Sequence, residues 1–254
     1  HLLSPSQGIR FLIFLLCAAQ IWAITKVFKN PSIALIVYFG FGNFFLSNFN
    51  VISSNLALTF FLMATVANQK ILKASLYLLI PFAHIYGIFL LAVSFINRLH
   101  IVIAFLISIS TGFFAFFILQ YIGIEERLIN YFSEEDSSSP FKITIFALWN
   151  SAIFFFLKHR NEQDEDFYLL RWSLLASITL LSILVLTGVS GAIFERMLNP
   201  ILFILSYFSI KMLLKYLEPR YLSTSIIIFV LGINIFSSIN DNSNGWALVP
   251  FNFF

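Results

Sequence analysis

The first 124 positions contain neither aspartate nor glutamate; all twelve acidic residues stand at Glu125 or beyond. Side-chain acid or base chemistry in that half must use histidine, and His84 is the only histidine there that lies within an apolar run. Charge is scarce throughout, at 11% of residues against 59% hydrophobic, and the mean hydropathy is +0.91. Such a composition excludes a soluble globular domain. The net charge of +3 is spread through loops without a basic run, so no nucleic-acid partner is expected. A single cysteine, Cys17, excludes an intrachain disulfide and leaves the redox compartment unread. The four histidines (His1, His84, His100 and His159) are scattered, none at ligand spacing, so no metal site is expected. No phosphate-cradling glycine loop, GxGxxG or GxSxG occurs; soluble-type nucleotide and hydrolase chemistry is unsupported, and no cofactor is implied.

What the chain does have is long apolar runs. A spanning helix needs about 20 apolar residues, and suitable segments fall near 9–28, 32–50, 51–67, 75–96, 101–124, 141–157, 168–193, 198–217 and 221–239. Backbone groups in lipid must bond internally, and runs without strict alternation select helices over a barrel. The reading is an all-α polytopic integral membrane protein, one transmembrane helical domain over 1–254 with about nine membrane segments. The chain opens on His1 rather than methionine and without a charged leader, so N-terminal helices of the natural protein are expected to be missing.

Lysine and arginine in short loops mark the cytoplasmic side. Lys26/Lys29 and Lys70/Lys73 then lie inside, and the uncharged turn Ser47–Asn50 outside. If every later segment crosses once, Lys158/Arg160 and Lys211/Lys215/Arg220 fall outside, against the rule. If one segment between 74 and 124 does not cross, both loops return inside, and the polar loop 125–140 and Glu195/Arg196 face outward. The candidate for re-entry is ASLYLLIPFAHIYGIFLLAVSFINR, residues 74–98. Pro81 removes a helix donor and Gly87 eases a bend, while irregular backbone at membrane depth is tolerated beside a protein cavity. The rival is an ordinary proline-kinked span. The stretch KHRNEQDEDFYLLR reads as a solvated loop, with Arg171 snorkelling from the following helix.

Ionisable residues at membrane depth by default mark functional cavities. The candidates are His84, Arg98, Arg127, Glu195 and Arg196. Each has a plainer alternative: a hydrogen-bonded core histidine for His84, snorkelling for Arg98 and Arg127, a helix-turn pair for Glu195 and Arg196. An outward arginine at the boundary suits a phosphate, with its planar fork of donors. Asn50, beside the outward turn, suits either sugar hydroxyls or turn formation.

The stretch FFLSNFNVISSNLALTFFLMATVANQKILKASLYLLIPFAHIYGIFLLAV resembles the signature region of EpsG-type, Wzy-like polysaccharide polymerases. There an Asn-x-Ile-Arg-Gln-x-x-Ala motif opens a helix, a basic turn follows, and a Phe-x-His pair falls in the next segment. Asn50, Ile52, Leu56 and Ala57 match the motif, Lys70 and Lys73 supply the turn, and Phe82 and His84 the pair. IFERMLNPILF is similar to the family's late arginine helix, and GWALVPFNFF to its closing region, with Phe251 where tyrosine is usual. The family's Arg-Gln pair is replaced by Ser53 and Ser54, so another cation among Arg98, Arg127 and Arg196 would have to contact the pyrophosphate. The resemblance implies a GT-C-like helix bundle in the bacterial inner membrane: a metal-independent glycosyltransferase that needs no cofactor. Its partner would be an undecaprenyl-pyrophosphate-linked oligosaccharide, with a chain-length regulator beside it, and its product an O-antigen, capsule or exopolysaccharide. His84 leads as catalytic base, followed by Glu195; Arg196, Arg127, Arg98, Asn50 and Ser53 are the substrate-binding candidates. The competing readings are a transporter or flippase for lipid-linked substrates, and a structural subunit of a membrane complex.

Overall fold

The computed structural model describes residues 5–40, 52–84, 86–122, 140–160, 162, 164, 166–187, 192–216 and 221. Among these residues all regular structure is helical: α1 (Pro5–Val27), α2 (Pro31–Gly40), α3 (Ile52–Val66), α4 (Lys70–Ala83), α5 (Tyr86–Ile96), α6 (Ile101–Ile122), α7 (Pro140–His159), α8 (Phe167–Thr187) and α9 (Ala192–Tyr216). Three of them open on proline, at Pro5, Pro31 and Pro140. A missing N–H costs little there, because first-turn amides have no partner within the helix. Three described helices, over Gln7–Val27, Phe167–Leu186 and Met197–Tyr216, are long and apolar enough to cross a membrane. Large apolar side chains such as Phe14, Phe114 and Leu148 point outward, as lipid permits and water does not. The chain is an α-helical membrane protein. Residues 222–239 of the expected last segment and 125–139 of the outward loop lie outside the described residues.

The expected single segment 75–96 is two helices. Pro81 removes the donor that would bond to the carbonyl of residue 77, and α4 ends two residues later at Ala83. His84 is extended (φ −164°, ψ 146°), and its carbonyl accepts the Gly87 N–H at 2.8 Å. A Cβ at residue 87 would lie 2.4 Å from the Ile80 carbonyl oxygen, so only glycine permits this approach. The two helices fold back on each other. The Arg98 guanidinium sits 5.8 Å from the centre of the Tyr77 ring, whereas one continuous helix would separate these residues by about 30 Å.

The feet of this hairpin share one end of the bundle with most of the described cations. At the α8 start, Tyr168 accepts a hydrogen bond from Asn97 Nδ2 at 3.1 Å through its carbonyl, and its hydroxyl bonds Thr65 near the end of α3. Arg171 donates to the Leu99 carbonyl. It does not simply snorkel outward: it ties the turn after α5 to α8. Asp166, just before α8, meets Lys29 after α1 and Lys211 near the end of α9. Lys29, Lys70, Lys73, Arg98, Lys211 and Lys215 are therefore at a common basic end.

In lipid, helix association rests on close packing and polar bonds rather than on hydrophobic drive. Two interfaces of α8 show both. Against α6, the line Ala104, Ser108 and Gly112 recurs every fourth residue; the first two are fully buried. A Cβ at residue 112 would stand 2.4 Å from the Ser182 carbonyl oxygen, and Ser182 Oγ donates to the Ser108 carbonyl at 3.0 Å. Against α7, the fully buried Asn150 receives a bond from Ser173 Oγ at 2.9 Å and donates to Ser177 Oγ at 3.0 Å. Ser173 also reaches the Ile201 carbonyl at 3.3 Å, bringing α9 into the same polar knot. Beside it, Trp172 packs on Phe61, ring centres 5.2 Å apart, and donates to Ser94 Oγ at 3.2 Å. α8 is thereby the central post of the bundle.

Candidate functional site

A narrow cleft lies between α1, α2, α3, α8 and α9. Its walls are apolar, built largely from Ile24, Phe28, Phe61, Phe203 and Ile204, and Gln20, Tyr38, Asn55 and Asn199 add polar groups to the lining. The cavity measures about 30 Å³, room for one or two waters. Gln20, buried in mid-α1, organises one wall. Its Nε2 donates to Thr59 Oγ1 at 3.0 Å, and its Oε1 accepts from Tyr38 Oη at 2.5 Å. A polar residue amid apolar helix is expensive in lipid unless so bonded, so this amide joins α1, α2 and α3 with its donors and acceptor engaged.

Pro200 stands inside α9 against the cleft, where it removes the donor to the carbonyl of residue 196. Glu195 and Arg196 occupy the first turns of α9, one turn before Asn199. From the basic end, at 1.5 Å per residue, residue 196 stands about 22 Å up α9 and His84 about 20 Å up α4. His84 is half-buried and does not line the cleft. The Arg98 guanidinium, beside the Tyr77 ring, stands about 10 Å below His84 along α4. Ser53 is in the first turn of α3. Arg127 and Asn50 lie outside the described residues.

The basic end holds a charge cluster that the sequence reading missed. Asp166 is fully buried, in a stretch expected to be a solvated loop. One carboxylate oxygen accepts the Lys29 backbone N–H at 3.1 Å and the Tyr207 hydroxyl at 2.5 Å, and the other accepts Lys211 Nζ at 2.9 Å. The Tyr207 oxygen in turn accepts the Asn30 N–H at 3.2 Å. Asp164 bridges Lys29 Nζ at 2.5 Å and Lys211 Nζ at 3.0 Å. The hydrogen bond from Lys29, seconded by that from Lys211, holds the Asp164 carboxyl below its ordinary range. Glu162 pairs with Lys215 at 2.6 Å, and that bond lowers its carboxyl likewise. A buried carboxylate is tolerable only when paired and fully hydrogen-bonded, and Asp166 meets that condition. One signal was present in the sequence: an aspartate directly before an apolar helical run is a helix N-cap.

The cluster lies just beneath the cleft. Phe28 precedes Lys29, Phe203 is one turn before Tyr207, and Leu169 is one turn after Asp166. It closes the cleft towards the basic end, while Asn55 and Asn199 lie on the opposite side of its length. No family model, curated protein or solved structure matches this chain.

Proposed function

We propose that this chain is a membrane glycosyltransferase that polymerises undecaprenyl-pyrophosphate-linked oligosaccharide repeat units into a cell-surface polysaccharide, in a GT-C-like bundle of the bacterial inner membrane. The observation that carries the reading is the helix break at His84, which sets a half-buried ionisable ring between two apolar helices. The motif order from Asn50 to His84 supports the same family of reactions.

In this reaction the acceptor hydroxyl oxygen attacks the anomeric carbon of the growing chain, and the bond from that carbon to the pyrophosphate oxygen breaks. The His84 imidazole takes the hydroxyl proton, a role in which a positioned base contributes about 10² to 10⁴ in rate, with Glu195 second in line. Arg196 meets the charge left on the departing pyrophosphate, with Arg127 behind it. Ser53, in place of the family's arginine, contributes a hydroxyl but no charge. A chain-length regulator is the expected protein partner.

The test is polymer length in cells carrying His84→Ala or Arg196→Ala at matched protein levels. Long chains should disappear while single lipid-linked repeat units persist on the outer face. Unchanged long polymer in both variants would overturn the assignment. The folded-back hairpin favours a second reading, a carrier for lipid-linked substrates; in that case repeat units should accumulate on the cytoplasmic face instead.

A further inference from the structure

Two sets of cations stand out among the described residues of the basic end. Lys29, Lys211 and Lys215 are neutralised by Asp164, Asp166 and Glu162. Lys70, Lys73 and Arg98, at the feet of the α4–α5 hairpin, have no ion pair among the described residues, and helices α1 to α6 contain no carboxylate to offer them.

We infer that the hairpin feet bind the headgroup of an anionic phospholipid, with Arg98 and Lys73 as its main contacts and Lys70 at the rim. Arg98 is exposed but not loose. Its guanidinium stands 5.8 Å from the Tyr77 ring centre and 5.6 Å from that of Phe95, and a cation over an aromatic face is held in place by the ring quadrupole. The turn that bears it is pinned from behind by α8, through Asn97 to the Tyr168 carbonyl and Arg171 to the Leu99 carbonyl. Lys73 lies one turn before Tyr77 on α4, so its ammonium shares that side of the hairpin. A planar fork of donors and a second point charge match a phosphodiester.

The surroundings select a lipid rather than a soluble phosphate. Ile71 is 82% exposed and Phe95 60% exposed, and these apolar side chains beside the cations fit acyl chains below a headgroup. A free anion would gain nothing from them. Anionic lipids attract cations at the membrane surface by about a factor of five for each lysine or arginine. Tyr77, beside which the Arg98 guanidinium stands, is about 10 Å from His84 along α4; the site does not depend on the polymerase reading.

The full chain, purified in detergent and stripped of lipid, is offered equal amounts of phosphatidylglycerol and phosphatidylcholine and examined by native mass spectrometry. Phosphatidylglycerol adducts should dominate. Arg98→Gln and Lys73→Gln should each lower that preference about fivefold, and the double variant should approach parity. Lys158→Gln, an exposed cation on α7 at the same end, should leave it unchanged; circular dichroism confirms that each variant remains helical. The inference fails if the two lipids bind the native chain equally, if Arg98→Gln and Lys73→Gln keep the full preference, or if Lys158→Gln lowers it as much as they do. Displacement of phosphatidylglycerol by millimolar inorganic phosphate would also overturn it, since the ligand would then be the soluble anion.

Discussion

The two cation sets of the basic end are alike in sequence, short-loop lysines and arginines flanking apolar helices, yet they sit in opposite electrostatic situations. Lys29, Lys211 and Lys215 close onto three acids delivered by residues 162–166, whereas Lys70, Lys73 and Arg98 stand on a hairpin that the acids do not reach. The difference follows from where the chain keeps its acids. All of them come after residue 124, and among the described residues the acids before α8 meet the lysines after α1 and on α9. Among the described residues, one half of this end is consequently a lock, and the other half is open to ligands from outside the chain.

The largest expected effect is at the buried carboxylate. Asp166→Ala strands Lys211, whose side chain is only 16% exposed, together with the Tyr207 hydroxyl and the Lys29 N–H. Removing one partner of a buried pair should cost about 3 kcal/mol, read as a lowered thermal midpoint in detergent. A loss under about 1 kcal/mol would mean that Lys211 passes wholly to Asp164, and the contrast between the two halves would shrink.

A smaller effect is expected at Asp164, which is a third exposed and so counts at most about 1 kcal/mol. Its folded pKa is lowered by Lys29 and Lys211. The sign follows: its stabilisation is present above the ordinary aspartate value of about 4 and fades as pH falls through the lowered folded value. Thermal midpoints measured between neutral and strongly acidic pH should drop more steeply for the native chain than for Asp164→Asn. Parallel curves would remove Asp164 from the lock.

The smallest effect belongs to the other half. Arg98→Gln and Lys73→Gln should change stability by no more than about 0.5 kcal/mol in lipid-free detergent, as surface substitutions do. A loss of several times that would show the hairpin feet to be structural ties and would sharpen the comparison in the opposite direction.

Much of this was legible in the sequence because membranes make strong demands. The helices follow from apolar run length, and the break at His84 follows from Pro81 and Gly87. Gathering the basic loops at one end required a segment between 74 and 124 that turns back, and the hairpin geometry does gather them. Asp166 and Arg171 were misread because a charged stretch between two apolar runs normally faces water; burial became tolerable only through partners 137 residues away at Lys29 and 41 away at Tyr207. Gln20 drew no notice at all, since a lone amide in an apolar helix has no local pattern, and its partners Tyr38 and Thr59 are on other helices.

The sequence by itself determined that the chain is helical and membrane-embedded, and it marked the apolar run in which a break or a kink was to be expected. Those properties depend on local backbone chemistry and on the cost of unbonded amides in lipid. Tertiary structure alone decided which charges are buried, which cations have no ion pair among the described residues, and that the Arg98 guanidinium returns to the Tyr77 ring. Each of these depends on distances between residues remote in the chain, and helix composition carries no record of such distances.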